Sequence, residues 1–272
     1  MSRCPSEPSS RKLSGGLLSP RAPRAWRGST RPAALVAFAI ATLGAEADAT
    51  AQLSGPGSGP VTPPVELRHD PRIDVPVTAA LGGSYVAALL VGRELQPGAC
   101  RWCDGSSPGE VNAVDDWFRT AFRRPDTEPA SVTSHVLAYG LAPLTSIGLT
   151  VLASAADRRG EGALTDLTIA AQGTFSALLV TELLKPIIAR ERPDVHAIAD
   201  EDARADALLS AEALRSFPSG HATAVFGMAA SSGMVASMRG YRLAPLVWAA
   251  GLMLGAATAY ARIAADRHYF TD

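Results

Sequence analysis

Ser131–Ala156 reads SVTSHVLAYGLAPLTSIGLTVLASAA, 26 residues without a charged side chain. At the usual helical rise it is long enough to cross a bilayer. Four further uncharged runs surround it: Val75–Gly92 (18 residues), Leu167–Thr181 (15), Ala222–Met238 (17) and Leu243–Ala261 (19). Many are rich in Ala and Gly, which lets helices approach closely in lipid. The runs of 15 and 17 are short for a span, and a large soluble helical protein is the competing reading. Five such runs in one chain favour the membrane, and no strand-like alternation competes. The expected fold class is all-α, a multi-pass membrane helical bundle.

Composition agrees. Hydrophobic residues make up 47% of the 272-residue chain and charged residues 19%, below the roughly 25% of a soluble domain. A disordered, highly charged chain is excluded. The net charge of -1 gives no electrostatic reason to expect a nucleic-acid partner. The charge is unevenly spread, however. Residues 1–32 hold seven basic residues and one acidic, +6, and read as a disordered basic N-terminus. Ala33–Gly44 is a short apolar run followed by small-residue sites, so residues 33–51 read as a signal peptide or a membrane anchor. Residues 52–74, rich in Gly, Pro and Ser, read as a linker, and residues 75–272 form the main domain.

The short turns set an orientation. Arg158 and Arg159 lie in one, Arg239 and Arg242 in another, and the positive-inside rule puts both in the cytoplasm. The segments 93–130 and 185–220 then lie outside. Cys100-Arg-Trp-Cys103 would face an oxidising compartment, where a small-loop disulfide is favoured over a zinc half-site because no second ligand pair is present. A cleaved signal at 33–51 conflicts with a spanning helix at 75–92, because every later loop would flip. Either residues 33–51 are not processed, or helix 75–92 does not span.

Three clusters sit at the ends of apolar runs, all on the outer face by helix alternation. They are Lys185 to Arg192-Pro193, Ser216-Phe217-Pro218-Ser219-Gly220-His221, and Arg262 to His268 and Asp272. Lys185 is one of only two lysines among 25 Lys+Arg. Guanidinium forks and an ammonium hold phosphate oxygens. The Pro-Ser-Gly-His turn opens a helix whose free N–H groups bind anions. Two histidines can divide nucleophile and general-acid roles. Asp272, four residues after His268, would neighbour it on a helix and hold the imidazole in one tautomer. No carboxylate cluster suited to magnesium or calcium accompanies them, so no metal and no cofactor are expected.

The spacing Lys-x6-Arg-Pro, Pro-Ser-Gly-His and Arg-x5-His-x3-Asp resembles the type 2 phosphatidic acid phosphatase (PAP2) superfamily, whose fold is shared by vanadium haloperoxidases and bacterial acid phosphatases. The resemblance covers roughly residues 130–272, with core motifs in 185–272. It implies a metal-independent phosphatase acting on phosphate monoesters or diphosphates, with membrane lipids favoured by the apolar body. It implies that His268 attacks phosphorus to form a phosphohistidine, that Asp272 orients His268, and that His221 protonates the leaving oxygen. Lys185, Arg192 and Arg262 would bind phosphate, with Ser219 and Gly220 adding donors. The implied location is the cell (inner) membrane, with the site facing the periplasm or exterior. Ala261 stands where the family often has Ser, removing a hydroxyl. The family's membrane members usually add a helix after the third motif, so a chain ending at Asp272 is expected to be truncated and to lack it. The alternatives are an exported acid phosphatase acting on soluble esters and a non-catalytic lipid-phosphate-binding protein. A haloperoxidase is weaker still.

Other residues read blandly. His135 is expected to be packed or hydrogen-bonded, and His69 and His196 solvated in loops. Arg190 and Arg267 fall off the motif spacing and read as surface charge. Asp200-Glu201-Asp202 reads as a solvated patch, and Trp102, Trp117 and Trp248 as interfacial anchors.

Overall fold

The computed structural model describes residues 67–95, 97–105 and 107–272. The basic N-terminus, the possible signal or anchor at 33–51 and most of the linker lie outside these residues. Helix α1 spans Pro71–Glu94 and begins ahead of the apolar run, because Asp70 caps it and Pro71 suits its first turn. Beyond it lies a loop closed by the Cys100–Cys103 disulfide expected from the sequence. Short α2 (Ala113–Phe122) follows. Then α3 (Glu128–Val136), a π-helical turn at Leu137–Leu141 and α4 (Ala142–Ala156) form one continuous rod. Helix α5 covers Ala163–Ile188, with α6 (Pro193–His196) and α7 (Glu201–Leu208) in the loop after it. Helices α8 (Gly220–Met238) and α9 (Ala244–Ala264) complete the described chain. Among the described residues there is no strand; Trp102 and Arg190 form an isolated bridge.

Four helical stretches are long and apolar enough to cross a membrane: Pro71–Glu94, Glu128–Ala156, Gly160–Ile188 and Ala244–Ala264. The fifth apolar run lies in α8, which does not meet that standard. It packs between α5 and α9, so a weaker apolar character suffices. Leu144, Val180, Leu183 and Met253 stay exposed on the long helices, as lipid-facing side chains would. Small residues set the spacing inside: a Cβ on Gly251 of α9 would stand 2.6 Å from that of Ala229 on α8. Only glycine permits that approach.

The helices alternate, so their ends sort into two layers. Helices α1 and α5 run parallel. Gln172 Nε2 donates to Asp74 O near their starts (3.1 Å), and Arg215 joins Gly92 O to Glu182 near their ends. The opposite layer holds the arginine turns. Asp166, fully buried, accepts from Arg239 Nε (2.8 Å) and from the Tyr241 hydroxyl (2.6 Å). Arg242, largely exposed, pairs with Asp157 (2.6 Å). These two contacts differ in worth. A buried carboxylate that satisfies two partners cannot be removed without stranding both, whereas an exposed pair is screened by water. Asp166→Ala is expected to lower stability by about 3–5 kcal/mol, and Asp157→Ala to leave the thermal midpoint in detergent unchanged. Equal midpoints for both variants would contradict this ranking.

Candidate active site

The other layer collects the three motif clusters. Lys185 lies in the last turn of α5 and is buried. Its Nζ meets one oxygen of Glu182, one turn back, while Arg215 meets the other and donates to Gly92 O (2.7 Å). Glu182 therefore locks the ammonium in position between α1 and α5. A Cβ on Gly220 would lie 3.2 Å from Lys185 Nζ, so glycine at the start of α8 leaves room for the amine beside that helix end.

Ser219 caps α8, its hydroxyl accepting from Ala222 N (3.4 Å), and its own N–H donates to Asp272 O (3.0 Å). That N–H is thus already used within the chain. The N–H groups of Gly220 and His221 find no acceptor among the described residues. They point out of a helix N-terminus, where an anion is favoured.

His268 and Asp272 meet, but not on a helix. Helix α9 has ended at Ala264, and residues 265–272 form turns. Tyr269 N donates to Asp272 Oδ2 (2.8 Å) and Asp272 N to Tyr269 O (3.3 Å), folding the carboxylate back towards the ring. His268 Nδ1 lies 2.7 Å from Ser216 O and 3.3 Å from Asp272 Oδ2. A carbonyl only accepts, so Nδ1 carries the proton and Nε2 keeps its lone pair. Ser216 Oγ also donates to Asp272 Oδ2 (2.5 Å). Burial pushes His268 down to about 3, and the nearby charges of Arg192 and Arg262 act in the same direction. Burial alone would raise Asp272, but bonds and charge from His268 and Arg190, with the Ser216 hydroxyl, hold it below the usual carboxylate range. The pair is therefore a neutral imidazole beside an ionised carboxylate.

Arg192 and Arg262 both lie within electrostatic reach of the two motif imidazoles. Arg192 Nη2 reaches Glu212 (2.7 Å), and Arg262 Nη1 reaches the Ser134 hydroxyl (3.1 Å). That hydroxyl, from α3, accepts from Arg262 and donates to Ser131 O (2.7 Å). Three buried nitrogens, Arg192 Nε, Arg262 Nε and His221 Nε2, have no partner among the described residues. His221 is walled by His135 and Tyr139, with ring centroids 4.6 and 4.9 Å away. Tyr139 belongs to the π-helical turn, a local widening often found at functional sites.

Several bland readings change. Arg190 is not surface charge: its side chain is wholly buried and reaches Asp272. The signal was absent from sequence, because its partners lie more than seventy positions away. His196 is not solvated; it is buried against Glu110 O (3.0 Å) and Arg204 (3.1 Å). His69 pairs with Asp74 at the start of α1 (2.9 Å). Trp102 packs on Phe217 and on the Arg190 guanidinium. His135 bonds to Ser131 O (2.8 Å) as expected, although it also faces His221. Arg267 is half-exposed and pairs with Asp194 (3.0 Å), a surface charge as read. Asp200 caps α7, with Glu201 and Asp202 exposed in its first turn. Glu182 and Arg215 were missed because neither stands at a motif spacing, and Ser216, the first residue of the second cluster, was given no role.

No curated protein and no solved structure matches the chain significantly. Residues 166–272 match the model of the PAP2 superfamily. That span contains all three clusters and excludes α1 to α4. Over these residues the chain is similar to the PAP2 superfamily, whose general chemistry is the hydrolysis of phosphate esters.

Proposed function

We propose that the protein is a metal-independent membrane phosphatase that hydrolyses phosphate monoesters or diphosphates of lipids through a phosphohistidine on His268. The observation that carries this is the set of buried nitrogens without partners, Arg192 Nε, Arg262 Nε and His221 Nε2, near an imidazole whose Nε2 is free to attack. Lys185, Arg192 and Arg262 hold the phosphoryl oxygens, helped by the N–H groups of Gly220 and His221. Ser219 serves by capping α8. Nε2 of His268 forms a bond to phosphorus while the P–O bond to the leaving group breaks. A protonated His221 gives its proton to that oxygen, the substrate's negative charge offsetting the neighbouring guanidiniums. Asp272 stabilises the charge that develops on His268. Water, deprotonated by His221, then breaks the P–N bond, releasing phosphate and restoring the neutral His268. The cations already supply the charge a metal would bring, and the carboxylates beside them are taken: Glu182 by Lys185 and Arg215, Glu212 by Arg192, and Asp272 by His268 and Arg190.

The four long apolar helices support a lipid substrate. With the arginine turns in the cytoplasm, the site faces the periplasm or exterior. Pro71 then starts on the cytoplasmic side, which favours residues 33–51 not being a cleaved export signal.

The test is phosphate release by the full-length protein from phosphatidic acid, phosphatidylglycerol phosphate, polyprenyl diphosphate and lipid A phosphate, with a soluble ester alongside. Turnover of a lipid phosphate should persist in excess EDTA and stop with vanadate. Activity lost in chelator, or confined to the soluble ester, would count against the reading. Lys185→Arg should reduce kcat at least about tenfold despite keeping the charge, because a planar fork does not fit between Glu182 and Gly220. An unimpaired Lys185→Arg enzyme would remove Lys185 from the site.

A pH effect on stability follows from His268. Its folded value, about 3, lies below the unfolded value of about 6.5. The unfolded chain takes up a proton that the folded chain refuses. Stability is therefore full above pH ~6.5 and falls towards pH ~3, at a limiting slope of about 1.4 kcal/mol per pH unit. Thermal melts of the ligand-free protein between pH 7 and pH 4 should show a steeper loss than those of His268→Gln. Parallel melts would mean that His268 is not held neutral.

A further inference from the structure

We propose that Arg190 is the positioning residue that sets the Asp272–His268 pair, a role that rests on the phosphatase reading above. Arg190 follows Ala189, whose left-handed conformation (φ 49) turns the chain sharply off the end of α5. Its guanidinium uses all five N–H donors. Nε bonds Asp104 (3.2 Å); Nη1 bonds Thr271 Oγ1 and Asp272 Oδ1 (both 2.8 Å); Nη2 bonds Asp104 (3.2 Å) and Asp115 (2.7 Å). Both faces are covered, by Trp102 at 4.3 Å and Tyr269 at 4.2 Å from its central carbon to the ring centroids. No rotation remains to such a group without breaking several contacts at once.

Its reach explains why the turn at 268–272 has one shape. Arg190 takes Asp272 Oδ1, which leaves Oδ2 to Ser216, Tyr269 N and His268. Arg190 O accepts from Ser216 N (3.0 Å), so the same residue fixes the carbonyl that fixes the His268 tautomer. Asp115 binds Thr271 through N (3.0 Å) and Oγ1 (2.7 Å), closing the ring of contacts around the turn. The disulfide loop supplies Trp102 and Asp104 and is pinned to the end of α5 by Trp102 N to Ile188 O (3.1 Å) and Arg101 N to Ala189 O (3.2 Å). Arg190 does not touch the reacting atoms; it acts through Asp272 and Ser216.

The test is steady-state kinetics of the full-length protein on whichever lipid phosphate it turns over. Lysine keeps the charge at 190 but cannot reach three carboxylates from one plane. Arg190→Lys should lower kcat about 10- to 100-fold with KM within about threefold. The acid limb of its kcat profile should move to higher pH, because Asp272 loses a bond that favours its ionised form. Trp102→Leu keeps every hydrogen bond of Arg190 and loosens only one face; kcat should fall about fivefold with the same direction of shift. Arg242→Gln, at the far layer, is the control and should match wild type. Should Arg190→Lys not fold, Trp102→Leu decides alone. Wild-type kcat and an unmoved acid limb in the folded variants would overturn the role of Arg190. A wild-type protein that releases no phosphate from any substrate would instead overturn the phosphatase reading.

Discussion

A cation buried at the end of an apolar helical bundle must find an anion, because desolvation otherwise costs several kcal/mol per charge. The site layer of this protein is organised by that requirement. Lys185 and Arg215 share Glu182, and Arg190 is enclosed by Asp104, Asp115 and Asp272. Arg192 has only Glu212, which is exposed at the rim, and Arg262 only the hydroxyl of Ser134. The first group is held by buried carboxylates and gives shape, although Arg215 Nε is also left without a partner. The second is left with donors that no described side chain satisfies, and the proposed phosphate would supply what they lack.

Two kinds of positive charge thus share one layer. Arg190 and Arg215 are structural: each ties distant segments together, Arg190 to residues 104, 115 and 272, Arg215 to Gly92 and Glu182. Lys185, Arg192 and Arg262 surround the space by α8's N-terminus. The bundle makes this possible by alternation, since three long helices (α1, α5 and α9) end and two (the α3–α4 rod and α8) begin in that layer. The opposite layer, held by Asp166 beneath the arginine turns, keeps the helices in register.

The helical body was legible because charge-free runs of membrane length leave little choice of fold. The candidate site residues stood out because three short motifs, each locally spaced, lie at the ends of those runs. The contact between His268 and Asp272 was expected for a helical reason and is made by a turn instead. The four-residue spacing serves both, so the contact survived the wrong local structure. Arg190 was misread because sequence spacing reports near neighbours only. Its carboxylates come from 75 to 86 positions away, and nothing at 190 itself distinguishes a buried hub from a surface charge. Glu182 shows the same limit: it bounds an apolar run, yet it holds two cations that the run's boundary does not reveal.

Chemical trapping bears most directly on the claim that buried cations and a neutral imidazole converge on one phosphoryl group. Full-length protein would be mixed with a radiolabelled lipid phosphate, quenched within the turnover time and digested. The account predicts a label that is stable to base, labile to acid and located on His268. An acid-stable label, a label on His221, or turnover with no covalent intermediate at all would contradict it.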